Sequence, residues 1–291
     1  MLPNFIIVGA PKAGTTSLYH YLSEHPEVFM SEPKEVNYFS KEEIEQQGLY
    51  YQDFKATDLK SYEALFSTVS NEIAIGEGSV SYLFYPKTPT KIKEVVPNVK
   101  IIILLRDPVA RAYSHYLMDF RMGLVNLSFE DVVYKTGSHN KIDLYYQQYV
   151  ELGLYYDQVR RYIDTFGADS VKIYLQDDLK KDPHHIIVDL YNFIGVKSSF
   201  TADTNQQHNT FSMPKNRLIH KLYSSYIFRT LTKNILNEKL KEKVKDIFFE
   251  RKKKPTLHNE TKQYLQKIYT EDIKRLESLI NQDLSLWYKE N

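Results

Sequence analysis

The 291-residue chain contains no cysteine and a single tryptophan. The lack of cysteine excludes disulfide bonds, thiolate metal sites and a cysteine nucleophile. The chain also lacks a charge excess, because 38 Lys and Arg residues stand against 37 Asp and Glu residues. This balance gives no reason to expect nucleic acid as a partner, so any anion-binding site must be local.

The N-terminal residues show no sign of a secretion leader. A strand-like segment begins within four residues of Met1, with no charged region, long apolar stretch or small-residue cleavage site. A signal peptide needs all three of these features. We therefore expect a cytoplasmic protein without a membrane span.

Short apolar segments alternate with helical patterns along the first two thirds of the chain. The predicted strands are Phe5–Val8, Ile73–Ile75, Lys100–Leu105 and Val171–Leu175. The predicted helices are Thr15–His25, Pro108–Phe120, Tyr155–Phe166 and Pro183–Ile194. The strands are apolar without alternation, as in sheets covered on both faces. This order predicts an α/β fold, P-loop-like, with a doubly wound, mostly parallel sheet flanked by helices.

The other segments differ in character from this alternating part. Residues 40–68 are polar and aromatic and are predicted to form short helices that roof a cleft. Residues 198–214 are predicted to form a polar loop, and 231–251 carry apolar residues at helical spacing. A last helix is expected to start near Asn259. Because there is no internal repeat or low-complexity linker, we predict one domain over 1–291 with a helical C-terminal part.

The loop after the first predicted strand has the glycine spacing of a phosphate-binding loop. In GAPKAGTT, residues 9–16, both glycines of the Walker A pattern G-x-x-x-x-G-K-[ST] are in register, but Thr15 occupies the lysine position. The only lysine is Lys12, at the apex of the loop. A helix N-terminus with the hydroxyls of Thr15, Thr16 and Ser17 follows, which suits an anion. The alternative is an ordinary strand-turn-helix connection with a threonine cap.

A second anion site is predicted in LLRDPVARAYSHY, residues 104–116. Arg106 stands at the carboxyl end of a predicted strand, where open parallel sheets bind ligands. Ser114 lies two turns into the following helix, on roughly the face that a phosphate held by Arg106 could share. Asp107 is interpreted as the cap of that helix, because Pro108 suits a first helical turn. The alternative for Asp107 is a magnesium-binding carboxylate of a kinase.

These two segments together resemble the donor-binding motifs of sulfotransferases that use 3′-phosphoadenosine 5′-phosphosulfate (PAPS). The similarity is greatest to the heparan sulfate N- and 3-O-sulfotransferase domains and their bacterial relatives. It extends through EPKEVNYF (32–39), GEGSVSYLFYP (76–86) and DLSLW (283–287).

The resemblance implies PAPS as donor, adenosine 3′,5′-bisphosphate as product and no metal. Lys12 would contact the oxygen that bridges phosphorus and sulfur and neutralise the leaving bisphosphate. The implied 5′-phosphate loop also contains Ala13, Gly14, Thr15, Thr16 and Ser17. Arg106 and Ser114 would hold the 3′-phosphate.

The resemblance also implies a glutamate base for the acceptor. KEVNYF places Glu35 three residues before the aromatic pair, so Lys12 and Glu35 are the predicted catalytic residues; a solvated loop carboxylate paired with Lys34 is the alternative for Glu35. Cytosolic small-molecule sulfotransferases use a histidine near the second strand, and the corresponding segment 73–83 has none. Glu77 and then His208 are the reserve candidates for the base, and Ser79 is a candidate to assist at the donor.

The expected acceptor is a small molecule or a carbohydrate with a hydroxyl or an amine. Its pocket is predicted from residues 40–68, 82–85 and 200–216, which are rich in Tyr, Phe, Asn and Gln. ERKKKP, residues 250–255, is interpreted either as a basic segment over the 3′-phosphate or as a cationic helix end. Two competing functions remain open at this point: a P-loop kinase that uses MgATP, and a non-catalytic anion-binding protein.

Overall fold

The main sheet consists of five strands. The computed structural model describes residues 1–51, 54–136, 138–204, 213–214, 249–250 and 254–289. The strands are β1 (Phe5–Gly9), β2 (Val28–Met30), β3 (Ala74–Gly78), β4 (Lys100–Leu105) and β5 (Val171–Leu175). Their order is β2-β3-β1-β4-β5, and every pairing is parallel. The α/β fold with a parallel sheet flanked by helices is confirmed.

The described helices follow the strands in the alternation that the sequence predicts. They are α1 (Thr15–Ser23), α2 (Lys41–Gln47), α3 (Leu59–Ala64), α4 (Thr88–Val95), α5 (Pro108–Arg121), α6 (Phe129–Val133), α7 (Ile142–Tyr149), α8 (Tyr156–Phe166), α9 (Gln176–Lys181), α10 (Pro183–Ile194) and α11 (Asn259–Ile280). The start of the last helix near Asn259 is confirmed, and so are short helices within residues 40–68. The structure also has α4, α6, α7 and α9, which the sequence patterns did not show.

Strand bounds agree with the prediction where the sheet is covered on both faces. All five residues of β1 and of β3 are buried, as are five of the six in β4. The predicted strand Ile73–Ile75 starts too early, because Ile73 is 56% exposed and the buried strand runs from Ala74 to Gly78. The edge strand β2 was missed, since three residues are too few for a pattern.

The chain divides into two compact units. The first contains the whole main sheet and is formed by Met1–Arg111, Leu154–His208 and Ile268–Asn291. The second is formed by Ala112–Gly153 and Asn209–Lys267. The prediction of one domain over 1–291 stays a prediction.

The second unit has an aromatic core of its own. The ring of Tyr116 lies 5.1 Å from that of Phe129 and 5.7 Å from that of Tyr149. The Tyr149 hydroxyl donates to the buried carboxylate of Asp119 at 2.8 Å. Several of the 24 tyrosines therefore build core, as their large burial area favours.

A short antiparallel pair corrects part of the prediction for the C-terminal third. Met213–Pro214 (β6) pairs with Phe249–Glu250 (β7). The helical pattern predicted over 231–251 therefore does not include Phe249 and Glu250, because their backbone hydrogen bonds go to a neighbouring strand. The rest of 231–251 lies outside the described residues.

Candidate active site

The loop between β1 and α1 lies at the carboxyl end of the sheet. It is tied to β4 by the Ala10 N–H, which donates to the carbonyl of Leu104 at 2.7 Å. Lys12 has φ 66° and Gly14 has φ 103°, so the chain makes two left-handed steps before α1 begins at Thr15. The loop thus turns tightly and directs the N-terminal amides of α1 to the sheet edge, as a phosphate site requires.

Gly14 packs closely against residues of β4 and α9 in the direction that a Cβ would take. A Cβ at Gly14 would lie 3.4 Å from Nε2 of Gln176 and 3.6 Å from Cδ2 of Leu104. Gln176 is 8% exposed, and its Oε1 has no hydrogen-bond partner among the described residues. The amide of Gln176 lies beside residues 9–16, which we call the donor loop after the predicted PAPS site. This amide was missed from sequence, because one Gln before an acidic run carries no pattern.

Arg106 and Asp107 follow β4 at the same edge of the sheet. The Arg106 guanidinium donates to the carbonyl of Lys12 at 2.9 Å, so the second predicted anion site touches the first. Oδ1 of Asp107 accepts from the N–H groups of Val109 at 2.8 Å and Ala110 at 3.2 Å. The interpretation of Asp107 as the cap of α5 is confirmed by these bonds. Burial raises the pKa of Asp107 and lowers that of Arg106.

Ser114 lies in α5, within the second unit, and is half-buried. In that unit the ammonium of Lys254 lies over the ring of the adjacent Tyr113, 5.2 Å from its centroid. The role of Ser114 at a 3′-phosphate stays a prediction. Lys252, Lys253 and His208 lie outside the described residues.

Glu35 is held at the carboxyl end of β3, the strand next to β1. The Glu35 N–H donates to the carbonyl of Gly78 at 2.8 Å, and the Val80 N–H donates to Oε2 of Glu35 at 2.9 Å. Oε1 forms an ion pair with Nζ of Lys34. The Glu35 side chain is 36% exposed, so its carboxylate is fixed on one side and open on the other. This environment suits a group that must reach a substrate.

Glu77, the reserve candidate for the base, is fully buried. Its carboxyl accepts from the hydroxyls of Tyr62 and Ser79, each at 2.6 Å. Burial raises the pKa of Glu77 to about 7, and these hydrogen bonds oppose the rise. Because no face of this carboxyl is open, Glu35 is better placed to meet an acceptor.

A shallow cleft of about 560 Å³ lies between α1 and the residues that precede Glu35. It is lined by Thr16, Tyr19, His20, Glu32, Pro33 and Lys34. The Tyr19 hydroxyl donates to the carbonyl of Ser31 at 2.7 Å, which fixes the ring that forms one wall. Burial and the nearby Glu32 carboxylate raise the pKa of Tyr19 to about 12.

The acceptor lining predicted from the aromatic segments is wrong for four of its rings, whereas Tyr50, Tyr51, Phe54 and Phe84 are half-buried and their role stays a prediction. Tyr62 and Tyr82 have no exposure, Phe66 has 1% and Tyr85 has 5%. These rings pack on one another, with 5.4 Å between the Tyr62 and Phe66 centroids. Their apolar area favours burial over lining a cleft. Most of 200–216 lies outside the described residues.

The sequence of this chain matches that of a known protein family. The family model for the sulfotransferase domain matches residues 2–277. The chain belongs to the sulfotransferase domain family. The resemblance predicted from the two anion-binding segments is thereby confirmed.

The relatives of this sulfotransferase domain include bacterial and animal proteins. A sulfotransferase structure from Alicyclobacillus acidocaldarius is 31% identical with a TM-score of 0.73, over 99% of this chain and 100% of that one. Bifunctional heparan sulfate N-deacetylase/N-sulfotransferase 4 of Mus musculus is 28% identical over 67% of this chain. Heparan sulfate glucosamine 3-O-sulfotransferase 3B1 of Mus musculus is 26% identical over 69%. The chain spans 22% and 48% of the length of these two curated relatives.

The described residues bear on two kinds of partner, a membrane and a metal ion. They contain no helix whose length and apolar character would let it cross a membrane. Within the same residues, no group of three or more His, Asp or Glu side chains is arranged to hold a metal ion.

Proposed function

We propose that this sulfotransferase domain moves a sulfuryl group from PAPS to a hydroxyl or an amine of a small-molecule or carbohydrate acceptor. The observation that carries the proposal is the meeting of three features at one end of the sheet. These are the loop with Lys12 at its apex, Arg106 bound to that loop, and the Glu35 carboxylate beside β3.

The residues at the donor loop fit the two phosphates of PAPS. The left-handed Gly14 lets the chain approach an anion closely, and the amides of Thr15 and Thr16 and the hydroxyls of Thr15, Thr16 and Ser17 supply donors. Arg106 adds a guanidinium, which suits phosphate oxygens. PAPS supplies the sulfuryl group and a bisphosphate leaving group when bound.

Lys12 and Glu35 have separate roles in the transfer. Lys12 places an ammonium group at the loop apex, where it stabilises negative charge on the leaving oxygen. Glu35 accepts the proton of the acceptor hydroxyl or amine. Lys34 and the Val80 N–H hold the Glu35 carboxylate in one orientation, so that the carboxylate need not be ordered again each time an acceptor binds.

The cleft beside the donor loop is the proposed acceptor site. About 560 Å³ suits a molecule of one or two rings. Its lining carries both signs of charge, from Glu32 and Lys34, together with the polar side chains of Thr16 and His20. This lining favours an uncharged polar acceptor over a polyanionic glycan.

A kinase function is not favoured by the site. Thr15 stands where a kinase loop has lysine, and Asp107 is engaged with two backbone amides of α5.

The proposal is tested first by thermal shift with adenosine 3′,5′-bisphosphate and with MgATP. A ligand at a hundred times its dissociation constant stabilises the folded state by about 2.7 kcal/mol. We expect the bisphosphate to raise the melting temperature and MgATP to leave it unchanged. The reverse result would contradict the proposal.

The second test is transfer of labelled sulfur from PAPS to a panel of acceptors: phenols, aliphatic alcohols, amines, monosaccharides and heparan fragments. We expect labelling of uncharged ring compounds and little labelling of heparan fragments. Binding of the bisphosphate without transfer to any acceptor would favour a non-catalytic anion-binding protein.

A further inference from the structure

The backbone that carries Glu35 adopts an unfavourable conformation. We call residues 35–37 the base loop. Glu35 has φ 67° and Asn37 has φ 57°, both in the left-handed region that residues with a Cβ rarely adopt. Each such residue is held there only when the surrounding bonds demand it. The contacts of the base loop therefore determine where the Glu35 carboxylate lies.

The base loop is bonded to the residues that follow β3. Besides the bond from Glu35 to the Gly78 carbonyl, the Asn37 N–H donates to Oγ of Ser79 at 3.0 Å. The Ser81 hydroxyl donates to Oδ1 of Asn37 at 2.6 Å. The Ser79 hydroxyl is thus the acceptor for one of the two left-handed residues.

Glu77 sets the direction of that hydroxyl. Ser79 donates its only hydroxyl proton to Oε1 of Glu77 at 2.6 Å. A hydroxyl whose proton is engaged presents its lone pairs elsewhere, and here the Asn37 N–H meets one of them. The chain of bonds runs from a buried carboxyl, through one hydroxyl, to the base loop.

A second hydrogen bond joins Glu77 to a different element, and we call the bonds to Ser79 and to Tyr62 the two arms of Glu77. The Tyr62 hydroxyl of α3 donates to Oε2 of Glu77 at 2.6 Å. This arm ties a helix to the sheet and does not touch the base loop. The Tyr82 hydroxyl is a further hydrogen-bond partner of this carboxyl. The Ser79 and Tyr62 hydroxyls meet different oxygens, so each can be removed while the other remains.

The fully buried position makes this carboxyl costly to keep. Removal of a carboxyl from water is unfavourable unless hydrogen bonds compensate, and an apolar side chain would fill the same space without that cost. Buried groups of this kind are concentrated at functional sites. None of the roles proposed for the transfer uses Glu77 directly.

We propose that Glu77 is a positioning residue: it orients the Ser79 hydroxyl, which holds Asn37 and thereby fixes the Glu35 carboxylate for proton transfer. This inference rests on the proposed function, in which Glu35 is the base. Its structural half, the control of the base loop by Glu77 and Ser79, holds with or without a known acceptor.

The experiment compares three variants that cut the arms separately. Ser79→Ala removes the hydroxyl between Glu77 and the base loop. Tyr62→Phe removes the other arm and is the matched control. Glu77→Gln keeps an acceptor oxygen for Ser79 and is the conservative variant, whereas Glu77→Ala is avoided because the cavity it leaves could prevent folding.

Three measurements are made on each variant. Amide hydrogen exchange at Asn37, followed by NMR, reports the base loop and needs no acceptor. Bisphosphate affinity reports the donor site. With the acceptor identified in the transfer screen, kcat and KM are measured separately.

We expect Ser79→Ala to increase the rate of amide exchange at Asn37 by about ten-fold and to lower kcat by about ten-fold. A ten-fold change corresponds to the loss of one hydrogen bond of about 1.4 kcal/mol. Bisphosphate affinity and KM should stay within about two-fold, because the hydroxyls of Ser79 and Tyr62 bond to Glu77 and Asn37, which are not residues of the donor loop. Glu77→Gln should retain most of the protection and of kcat. Tyr62→Phe should lower the melting temperature while exchange at Asn37 and kcat remain near those of the wild type.

Unchanged exchange at Asn37 in Ser79→Ala would overturn the proposal, and so would equal losses of kcat in Ser79→Ala and Tyr62→Phe. Failure of the wild type to label any acceptor would count against the proposed function instead. In that case the exchange measurement still decides whether Glu77 and Ser79 hold the base loop.

Discussion

At the scale of single residues, two charged side chains carry the proposed chemistry from different positions in the chain. Lys12 stands at the apex of the donor loop, and Glu35 stands beside the end of β3. They lie at the same edge of the sheet because each follows the carboxyl end of one of two neighbouring parallel strands, β1 and β3, with Ile7 opposite Gly78. A variant at each position separates the two roles.

Lys12→Ala is expected to lower kcat by about 10² to 10³-fold, the cost of losing one group that stabilises charge in the transition state. Steady-state kinetics with the acceptor from the transfer screen measures the change. Lys93→Ala, at an exposed ammonium bonded to the carbonyl of Pro97, is the control. A kcat for Lys12→Ala within two-fold of wild type would show that another group neutralises the leaving oxygen.

Glu35→Gln is expected to lower kcat by about 10² to 10⁴-fold, because the amide cannot accept the acceptor's proton. The affinity for adenosine 3′,5′-bisphosphate, measured by calorimetry, should remain that of the wild type. A Glu35→Gln enzyme with full turnover would remove Glu35 as the base.

At the scale of elements, the donor loop and α1 depend on a glycine that the sequence pattern identified. Gly14 begins the helix in a left-handed conformation, with Gln176 and Leu104 on its outer side. Gly48, after α2, has φ 66° and nothing within 4 Å of an added Cβ. The two glycines share the backbone conformation and differ in their surroundings.

Gly14→Ala is expected to destabilise the fold by about 1–2 kcal/mol from the left-handed backbone alone, and also to weaken bisphosphate binding. Gly48→Ala, the matched control, should lose stability by a similar amount with unchanged bisphosphate affinity. Denaturant unfolding and calorimetry measure the two effects. Equal bisphosphate affinity in both variants would show that the donor does not approach Gly14.

At the scale of the whole molecule, the stability of the fold is linked to pH through one buried and one half-buried carboxyl. Burial raises the pKa of Glu77 from 4.5 to about 7 and that of Asp272 from 3.8 to about 6. Between the unfolded and folded pKa values the folded chain binds more protons than the unfolded chain. The free energy of unfolding therefore falls as the pH rises through these windows.

Glu77→Gln is expected to flatten this dependence between pH 4.5 and 7, where the wild type loses ~3 kcal/mol through this residue at 1.36 kcal/mol per pKa unit. Denaturant unfolding at a series of pH values measures the slope for both proteins. If the free energy of unfolding changed with pH by the same amount in the wild type and in Glu77→Gln, Glu77 would have the same pKa in the folded and unfolded chains.

The sequence predicted the sheet best where its strands are covered on both faces, as in β1 and β4. It missed β2, which has three residues, and the short helices α4 and α9, which lack a sustained period. It predicted the residues of the donor loop because their chemistry lies in consecutive positions. It placed the acceptor wall at the aromatic rings of Tyr62 and Tyr82, which the structure buries.

By itself, the sequence determined the donor loop, the cap of α5 and the family, because each depends on residues that are neighbours along the chain. Only the tertiary structure decided that Glu35 is open while Glu77 is buried, and that Ser79 connects them. The physical reason is that burial and hydrogen-bond direction depend on contacts between β3, α3 and the base loop. Those contacts join residues 15 to 45 positions apart, and no local pattern encodes them.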